Sequence, residues 1–272
     1  MSRQSPEGGR RASSPEQDRE IAALVKRSYF RDDISGNDRL WNERFARNRK
    51  LKSTAVMGER GYFICFTPRS GSSWLMEMLA NTGVLGRPGE LLALEHPFAR
   101  TTDATGLDEY VAAIRGTTTA NGVFGLKANW AQAAVFARQG LFHSDDIVYV
   151  YLTREDLVMQ AISLYRAAAT GAWSSGDDQG APPFDEPAIS EWMRWLQAMM
   201  EEWEQAFQIY GIEPLRLTYE QLEADPVSAV RTIAGALGVD LPAKLDLLFW
   251  VERQRSSQTQ EWADRVRRKV GG

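Results

Sequence analysis

The sequence contains very little cysteine and histidine. Its 272 residues include one cysteine, Cys65, and two histidines, His96 and His143. A single cysteine excludes a disulfide within the chain and argues against a cysteine-based zinc site, and two distant histidines form no cluster of metal ligands. We therefore predict that the protein uses no metal.

Long hydrophobic runs and an excess of one charge are also missing. No apolar stretch approaches the ~20 residues that a membrane-spanning helix needs, and residues 1–20 lack the apolar segment of a secretory signal. We therefore expect a cytoplasmic protein without a transmembrane segment. The 32 Lys and Arg residues against 36 Asp and Glu give a net charge of −4. Since nucleic-acid binding needs a basic surface, we expect no nucleic-acid partner.

The chain has the composition of an ordinary globular protein, with 43% hydrophobic and 25% charged residues. Residues 1–20 are rich in Ser, Pro, Gly, Arg and Glu, which predicts a disordered tail. Residues 21–57 are charged, with scattered apolar positions that predict a helical N-terminal extension packed on the main domain. Residues 58–272 form that main domain.

Buried strands alternate with helices along the main domain. The predicted strands cover residues 62–67, 123–127, 147–152 and 214–218. The predicted helices cover residues 74–79, 130–139, 155–169, 188–210 and 226–237. This alternation predicts a three-layer α/β fold with a central parallel sheet flanked by helices.

The turn after the first strand, residues 68–73 (PRSGSS), has the chemistry of an anion site. Ligands of open α/β sheets bind beyond the carboxyl ends of the strands. Backbone N–H groups, the hydroxyls of Ser72 and Ser73 and the charge of Arg69 would cradle an anion there. The alternative is a plain turn with a serine helix cap.

An ATP-type loop would read G-x-x-x-x-G-K-[ST], and this turn lacks the Lys-[ST] ending. A metal-free phosphate ligand therefore fits better than MgATP. A second set of residues lies nearby in the predicted topology. Arg154 follows the strand 147–152, and Ser163 lies on the next helix, off its apolar stripe. They would clamp a second phosphate, or else they are a helix-capping arginine and a solvated serine.

Together these features resemble the sulfotransferases that use 3′-phosphoadenosine 5′-phosphosulfate (PAPS), and most of all the bacterial trehalose 2-sulfotransferase family. The resemblance runs in order from about Tyr62 to Arg268 and implies a P-loop-like fold. It is carried by the segments RSGSS (69–73), TGVLGRPGE (82–90), NGVFGLK (121–127), RED (154–156), QAISLYRA (160–167), ERQ (252–254) and EW (261–262). The extension before Gly58 is outside the pattern, and residues 91–115, where acceptor contacts are expected, match it poorly.

The resemblance implies PAPS as the co-substrate, without a metal. It assigns to the 5′-phosphosulfate the residues Arg69, Ser70, Gly71, Ser72, Ser73 and Trp74. It assigns Arg154 and Ser163 to the 3′-phosphate. The region of Arg253 and Gln254 would close over the nucleotide. It also implies a homodimer.

The resemblance further implies that Glu90 is the general base for a hydroxyl of a small-molecule acceptor, a carbohydrate or glycolipid. His96 is the alternative base, because histidine titrates near neutrality; it also stands in the expected acceptor region. Lys127 ends a buried strand, where a charge needs an anionic partner. We assign it, with Arg69, to stabilising the transferred group, and a buried ion pair is its alternative.

The nine tryptophans divide by their surroundings. Trp192, Trp195 and Trp203 follow helical spacing and are predicted to be core residues. Trp130 and Trp173 lie near predicted strand-end loops, where they would either stack on an acceptor sugar or pack. Two other functions remain as alternatives to a sulfotransferase: a phosphate-loop kinase of small molecules and a catalytically silent nucleotide-binding protein.

Overall fold

The computed structural model describes residues 13–45, 60–138, 147–173, 182–245 and 257–270. These residues form four strands and eleven helices. The strands are β1 (Gly61–Phe66), β2 (Phe124–Ala128), β3 (Ile147–Thr153) and β4 (Leu215–Thr218). The helices are α1 (Pro15–Arg27), α2 (Arg31–Arg44), α3 (Ser72–Asn81), α4 (Pro97–Thr101), α5 (Leu107–Arg115), α6 (Trp130–Ala137), α7 (Leu157–Thr170), α8 (Glu186–Tyr210), α9 (Tyr219–Ala224), α10 (Pro226–Ala236) and α11 (Ser257–Val270).

The four strands form one parallel sheet in the order β2-β1-β3-β4. In this register Cys65 on β1 pairs with Ala128 on β2 and with Tyr151 on β3. Every residue of β1 and β2 is buried, as expected for parallel strands that are covered by helices on both faces. The predicted three-layer α/β fold with a central parallel sheet is confirmed.

Alternate residues of β1 belong to two hydrophobic clusters, because successive side chains of a strand point to opposite faces. Phe63 and Cys65 pack in a cluster that includes residues of α1, α2, α6 and α8. Tyr62 and Ile64 pack in a second cluster with residues of α3 and α10. Burial raises the pKa of the Cys65 thiol well above its usual value, so this cysteine is a packing residue.

Trp203 fastens the long helix α8 to the sheet. Its indole N–H donates to the carbonyl oxygen of Phe66 at 3.3 Å, and its ring stacks on Phe207 at 5.6 Å. The prediction that Trp203 is a core residue is therefore confirmed. Trp192 and Trp195 are only partly buried, and their rings contact each other at 5.6 Å, at the margin of the core.

Helices α1 and α2, which we call the N-terminal hairpin, complete the core on one face of the sheet. Their residues Ile21, Leu24, Ile34 and Trp41 are buried in the same cluster as the side chains of β1 and β2. The ring of Trp41 meets Phe136 of α6 edge-on at 5.0 Å. The hairpin therefore belongs to the same packed body as the sheet.

Helix α1 begins at Pro15, inside the stretch 1–20 for which composition predicted a disordered tail. Ser14 and Gln17 form a capping box: the Ser14 hydroxyl accepts from the Gln17 N–H at 3.2 Å, and the Gln17 amide oxygen accepts from the Ser14 N–H at 2.8 Å. The Ser and Pro residues that indicated disorder are helix-starting residues here. The predicted tail is wrong for residues 15–20, and residues 1–12 lie outside the described part of the chain.

Glu202 of α8 anchors the turn between the two hairpin helices. Its carboxylate accepts from the hydroxyl of Ser28 at 2.5 Å and from the backbone N–H of Tyr29 at 2.7 Å. Burial raises the pKa of Glu202, and these hydrogen bonds act in the opposite direction. Since an unpaired buried carboxylate is costly, the hairpin is positioned by polar contacts as well as apolar ones.

Four helices, α4, α5, α9 and α11, were not predicted from the sequence. Helices α4 and α9 have only five and six residues, too few for a 3.6-residue period to show. Helix α11 packs Trp262 and Val266 into a third cluster with residues of α7 and α8. Among the described helices, none combines the length and hydrophobicity that a membrane crossing demands.

Replacing Ser28 by alanine should lower the free energy of unfolding by about 1.5–3 kcal/mol at pH 7, because it removes a hydrogen bond to a buried charged acceptor. Folding already raises the pKa of Glu202. The loss should therefore shrink as the pH falls and the carboxylate takes up a proton. Urea unfolding at pH 7 and pH 5 measures both effects. Ser35→Ala, at an exposed position of α2, is the matched control, and equal losses for the two variants would contradict the anchoring role.

Candidate active site

The loop between β1 and α3 lies where the sequence predicted an anion site. Arg69 and Gly71 both have positive φ, 65° and 86°. Gln160 of α7, which is fully buried, donates from Nε2 to the hydroxyl of Thr67 at 2.9 Å and to the carbonyl oxygen of Pro68 at 2.7 Å. The helix that follows β3 therefore fixes the loop that follows β1.

The N-terminus of α3 begins directly at this loop. The helix starts at Ser72, and among the described residues no side chain caps it. The first N–H groups of a helix have no intrahelical partner and favour an anion. The Ser70 hydroxyl is buried and has no hydrogen-bond partner within the described ranges. A bound anion would satisfy both sets of donors.

Position 71 requires a glycine for two reasons: its backbone conformation and the closeness of a neighbouring side chain. A Cβ at this position would lie 2.9 Å from Cδ2 of Tyr219, and its φ of 86° disfavours other residues. Tyr219 begins α9, directly after β4, and the guanidinium of Arg154 lies over its ring at 4.5 Å. The ring of Trp74 contacts the same tyrosine at 6.2 Å. Tyr219 therefore joins the loop after β1 to the end of β3.

The two groups of residues that were predicted to bind phosphates, the loop 68–73 and the pair Arg154 and Ser163, lie side by side in the structure. Arg69 donates from Nε to the hydroxyl of Ser163 at 2.9 Å and from Nη1 to the carbonyl oxygen of Trp173 at 2.9 Å. Burial lowers the pKa of Arg69, and the positive charge of Arg154 lowers it further. Two guanidiniums that repel each other in a partly buried place favour an anion beside them.

Glu220 of α9 sets the turn at the end of β3. Its carboxylate accepts from the backbone N–H groups of Glu155 at 3.0 Å and Asp156 at 3.4 Å. It also lies 4.0 Å from Nε of Arg154, whose side chain is 11% exposed. The carboxylate and the tyrosine ring together hold the direction of this guanidinium.

Glu90 and Lys127 form an ion pair at the edge of the sheet. Gly89 makes a parallel bridge with Leu126 of β2, and its carbonyl oxygen accepts from the Lys127 N–H at 2.9 Å. The next side chains on the two segments therefore meet, and Nζ of Lys127 lies 3.2 Å from Oε1 of Glu90. The second carboxylate oxygen, Oε2, accepts from Nε2 of Gln132 at 3.2 Å.

Lys127 also reaches the N-terminus of α3. Its Nζ lies 3.5 Å from the hydroxyl of Ser72 and 3.3 Å from that of Ser73. It stands over the ring of Phe66 at 5.2 Å. The side chain is 4% exposed, against 35% for Glu90. One buried charge therefore connects the carboxylate to the predicted anion site, and the ion pair considered from the sequence is present.

His96 lies near this pair and is held by the backbone. Its Nδ1 accepts from the N–H of Phe98 at 3.2 Å, as the N-cap of α4. Burial lowers the pKa of His96, Glu90 raises it and Lys127 lowers it. With Nδ1 engaged as an acceptor, the neutral ring carries its proton on Nε2. Nε2 lies close to Gly89, 3.4 Å from where a Cβ would stand on that residue.

The two tryptophans proposed for the acceptor differ. Trp130 is fully buried and meets Trp203 edge-on at 5.3 Å, so its assignment to acceptor binding is wrong. It begins α6 beneath the N-terminal hairpin, a covering that its strand-end position did not reveal. Trp173 is 55% exposed. Arg253 and Gln254 lie outside the residues that the structure describes.

Sequence reasoning missed Gln132, Gln160, Tyr219 and Glu220. Gln132 belongs to a capping box with Asn129, in which each side chain accepts from the other residue's N–H at 3.1 Å. Asn-x-x-Gln directly after a strand is a pattern that locates this position. Tyr219 and Glu220 likewise follow the carboxyl end of β4, where parallel sheets hold their ligands. Gln160 has no comparable pattern, because its contacts are to a distant loop.

No three His, Cys, Asp or Glu residues within the described ranges are grouped to hold a metal ion. The residues gathered here are instead cations, hydroxyls and backbone donors, with the carboxylates of Glu90 and Glu220 beside the cations. Such a set suits a ligand with two anionic groups. It does not by itself identify the reaction.

Comparison with known proteins shows the family to which the chain belongs. A sequence model of the family described as Stf0 sulphotransferase matches residues 61–269. The trehalose 2-sulfotransferase of Mycobacterium tuberculosis (strain Erdman) is 28% identical over an alignment of 254 residues, and the match covers 76% of this chain and 94% of that protein. The trehalose 2-sulfotransferase of Mycolicibacterium smegmatis is 27% identical over 255 residues, with the same two coverages.

Solved structures give a weaker likeness. A sulfotransferase from Alicyclobacillus acidocaldarius is 16% identical, with a TM-score of 0.45 over 78% of this chain and 93% of that one. The sulfotransferase domain of the Synechococcus PCC 7002 olefin synthase is 18% identical, with a TM-score of 0.45 over 80% and 91%.

Gly71→Ala should destabilise the protein more than Gly83→Ala. Both glycines have positive φ, 86° and 69°, and a Cβ in that region costs about 1–2 kcal/mol. Only at position 71 does the new Cβ also meet Tyr219, since nothing lies within 4 Å of the position 83 Cβ. Urea unfolding of both variants isolates the contact. Equal losses would show that Tyr219 does not constrain the loop.

Proposed function

The chain belongs to the Stf0 sulphotransferase family, and on that premise we propose that it transfers a sulfuryl group from PAPS to a hydroxyl of a small carbohydrate or glycolipid. The observation that carries the proposal is the cationic cluster at the carboxyl edge of the sheet. Burial and the charge of Arg154 both lower the pKa of Arg69 there. The names of the two mycobacterial relatives support a carbohydrate acceptor.

The residues at the edge of the sheet fit a nucleotide with two anionic groups. The uncapped start of α3 and the buried hydroxyl of Ser70 suit the 5′-phosphosulfate. The 5′ group would be held by Arg69, Ser70, Gly71, Ser72, Ser73 and Trp74. Arg154 and Ser163 would hold the 3′-phosphate, and the bond from Arg69 to Ser163 makes Arg69 a link between the two anions.

Glu90 is the proposed general base. Sulfuryl transfer forms a bond between the acceptor oxygen and sulfur and breaks the bond from sulfur to the nucleotide's bridging oxygen. The acceptor's proton passes to a carboxylate oxygen of Glu90, and negative charge remains on the nucleotide phosphate. Lys127 and Gln132 each bind one oxygen of Glu90, so the carboxylate is oriented before the acceptor arrives.

Lys127 is proposed to stabilise the departing phosphate. Its ammonium lies 3.3 Å from the hydroxyl of Ser73, in the first turn of α3, as well as beside Glu90. A buried positive charge acts strongly on charge that develops nearby, because little water screens it. When Glu90 takes up the proton, its carboxyl group becomes neutral and attracts the Lys127 ammonium less strongly. The positive charge of Lys127 can then stabilise the leaving group.

Adenosine 3′,5′-bisphosphate should raise the melting temperature without magnesium, whereas MgATP should do little. At a hundred times its dissociation constant, a ligand stabilises the folded state by about 2.7 kcal/mol. Differential scanning fluorimetry measures this directly. Strong stabilisation by MgATP with none by the bisphosphate would support the small-molecule kinase instead. Stabilisation without any sulfuryl transfer would support the silent nucleotide-binding protein.

Arg154→Ala is the variant that tests the 3′ site. It should weaken the bisphosphate far more than adenosine 5′-phosphate, which has no 3′-phosphate. Arg231→Ala, at an exposed position of α10, is the matched control. Equal losses for both nucleotides would remove Arg154 from the proposed role.

Glu90→Gln should reduce kcat by about 10²–10⁴-fold, the usual contribution of a general base, while the affinity for the bisphosphate changes little. The amide keeps an oxygen for Lys127 but accepts no proton. Glu95→Gln, at an exposed position nearby, is the control. If Glu90→Gln stays active and His96→Ala does not, the base is His96.

A further inference from the structure

Gln160 is a fully buried polar side chain of α7 that no step of the proposed reaction uses. Its Nε2 donates to the hydroxyl of Thr67 at 2.9 Å and to the carbonyl oxygen of Pro68 at 2.7 Å. A carbonyl oxygen only accepts, so the NH₂ end of the amide must face it. The amide oxygen of Gln160 is buried and has no hydrogen-bond partner within the described ranges.

Packing alone does not account for an amide at this position. A buried acceptor without a hydrogen bond is costly, and a methionine of nearly the same length would avoid that cost. The favourable contribution of Gln160 therefore lies in its two hydrogen bonds to the loop after β1. Both bonds are shielded from water, which makes them stronger than the same bonds at the surface.

Residues 67–70 form a β-turn with the pattern of type II. The N–H of Ser70 donates to the carbonyl oxygen of Thr67 at 3.3 Å and closes the turn. Pro68 is the second residue, and Arg69, the third, has a φ of 65°. Proline followed by a residue of positive φ is the type II combination, and glycine is the usual third residue. Arginine therefore occupies a backbone conformation that it disfavours.

The peptide between Pro68 and Arg69 determines which type of turn forms. Type I and type II turns differ by a rotation of this central peptide, and the type I form would return Arg69 to the negative φ that arginine prefers. The same rotation would carry the carbonyl oxygen of Pro68 away from α7. Because Gln160 binds that oxygen at 2.7 Å, it stabilises the type II form against the preference of the arginine backbone.

The sheet does not stabilise this turn beyond its first residue. Strand β1 ends at Phe66, and the N–H of Thr67 makes a last bond to the carbonyl oxygen of Leu152 on β3, at 3.4 Å. From Pro68 onward the chain has left the sheet. The conformation of the turn therefore depends on side-chain contacts such as those of Gln160.

The form of the turn sets the direction in which the Arg69 side chain leaves the backbone. From this position its Nε donates to the hydroxyl of Ser163 at 2.9 Å, three residues after Gln160 on α7. The turn also leads directly into Gly71 and the start of α3, where the helix N–H groups are not capped by a side chain of the described residues. Helix α7 thus holds both the backbone of the turn and the guanidinium that extends from it.

We infer that Gln160 is a positioning residue of the 5′ anion site, which keeps the turn 67–70 in its anion-binding form before the nucleotide arrives. The inference rests on the proposed function for the identity of the anion, and Gln160 itself does not contact the nucleotide. A site that is already in its binding form gives higher affinity than one that is populated only in part. The effect belongs to the 5′ group, because Arg154 is held by Tyr219 and Glu220 from another segment.

The main test compares three nucleotides on Gln160→Met in the full chain, a change that keeps the length of the side chain but removes its donors. Affinity for adenosine 3′,5′-bisphosphate and for adenosine 5′-phosphate should fall about tenfold, the equivalent of 1.4 kcal/mol. Affinity for adenosine 3′-phosphate, which has no 5′ group, should stay unchanged. Arg154→Ala should weaken the two ligands that carry a 3′-phosphate and spare adenosine 5′-phosphate. Isothermal titration calorimetry measures each affinity.

Ser28→Ala is the matched control, because it also removes a hydrogen bond between buried polar groups but lies in the N-terminal hairpin. It should bind all three nucleotides like the wild type. Equal losses of Gln160→Met for the three nucleotides would indicate a general weakening of α7, and no loss for any would show that the turn needs no support. Either result overturns the inference alone. If the wild type binds neither the bisphosphate nor PAPS, the proposed function fails and the inference falls with it.

A second comparison uses a turn that needs no support from Gln160. Proline followed by glycine favours the type II turn by itself, so Arg69→Gly should keep the turn in this form. Affinity for the bisphosphate is measured for Arg69→Gly and for Arg69→Gly/Gln160→Met, which both lack the arginine contacts. The two proteins should bind alike, including when Gln160→Met alone is too unstable to measure. A further tenfold loss in the double variant would show that Gln160 does not act through the turn, and would overturn the inference.

Discussion

The fold has to neutralise the ammonium of Lys127 where it stands, because this side chain is buried near the end of a strand that is itself buried throughout. A buried charge is tolerated only with a partner and good hydrogen bonds. Glu90 provides the partner from the edge segment beside β2, and the serine hydroxyls of α3 complete the surroundings. Three separate segments therefore meet at one point, and the proposed base and anion site become neighbours.

The proposed site and the N-terminal hairpin are fixed by different kinds of contact. In the proposed site, charged groups are held by rings and carboxylates at strand ends, as Arg154 is by Tyr219 and Glu220. In the N-terminal hairpin, α2 is set by apolar packing and the turn is set by the buried carboxylate of Glu202. The first arrangement follows the parallel sheet, and the second follows a pair of helices outside the family match.

Features that depend on the parallel sheet could be predicted from the sequence, whereas features that depend on contacts between distant segments could not. The strands, the loop after β1 and the position of Arg154 could be inferred because each depends on local pattern and on the parallel-sheet rule. Trp130 was misassigned because its burial depends on helices about a hundred residues earlier in the chain. The contact of Gln132 with Glu90 was missed for a similar reason, since a capping box predicts a helix start but not what lies across from it. The start of α1 was missed because capping residues and disorder-promoting residues are largely the same amino acids.

The N-terminal hairpin lies outside the family match but inside the folded core. The family match begins at residue 61, yet Ile21, Leu24, Ile34 and Trp41 lie in the cluster that covers one face of the sheet. A fragment cut at the homology boundary would leave that face open to water and would tend to aggregate through it. The shortest fragment expected to fold therefore begins at α1, well before the start of the family match.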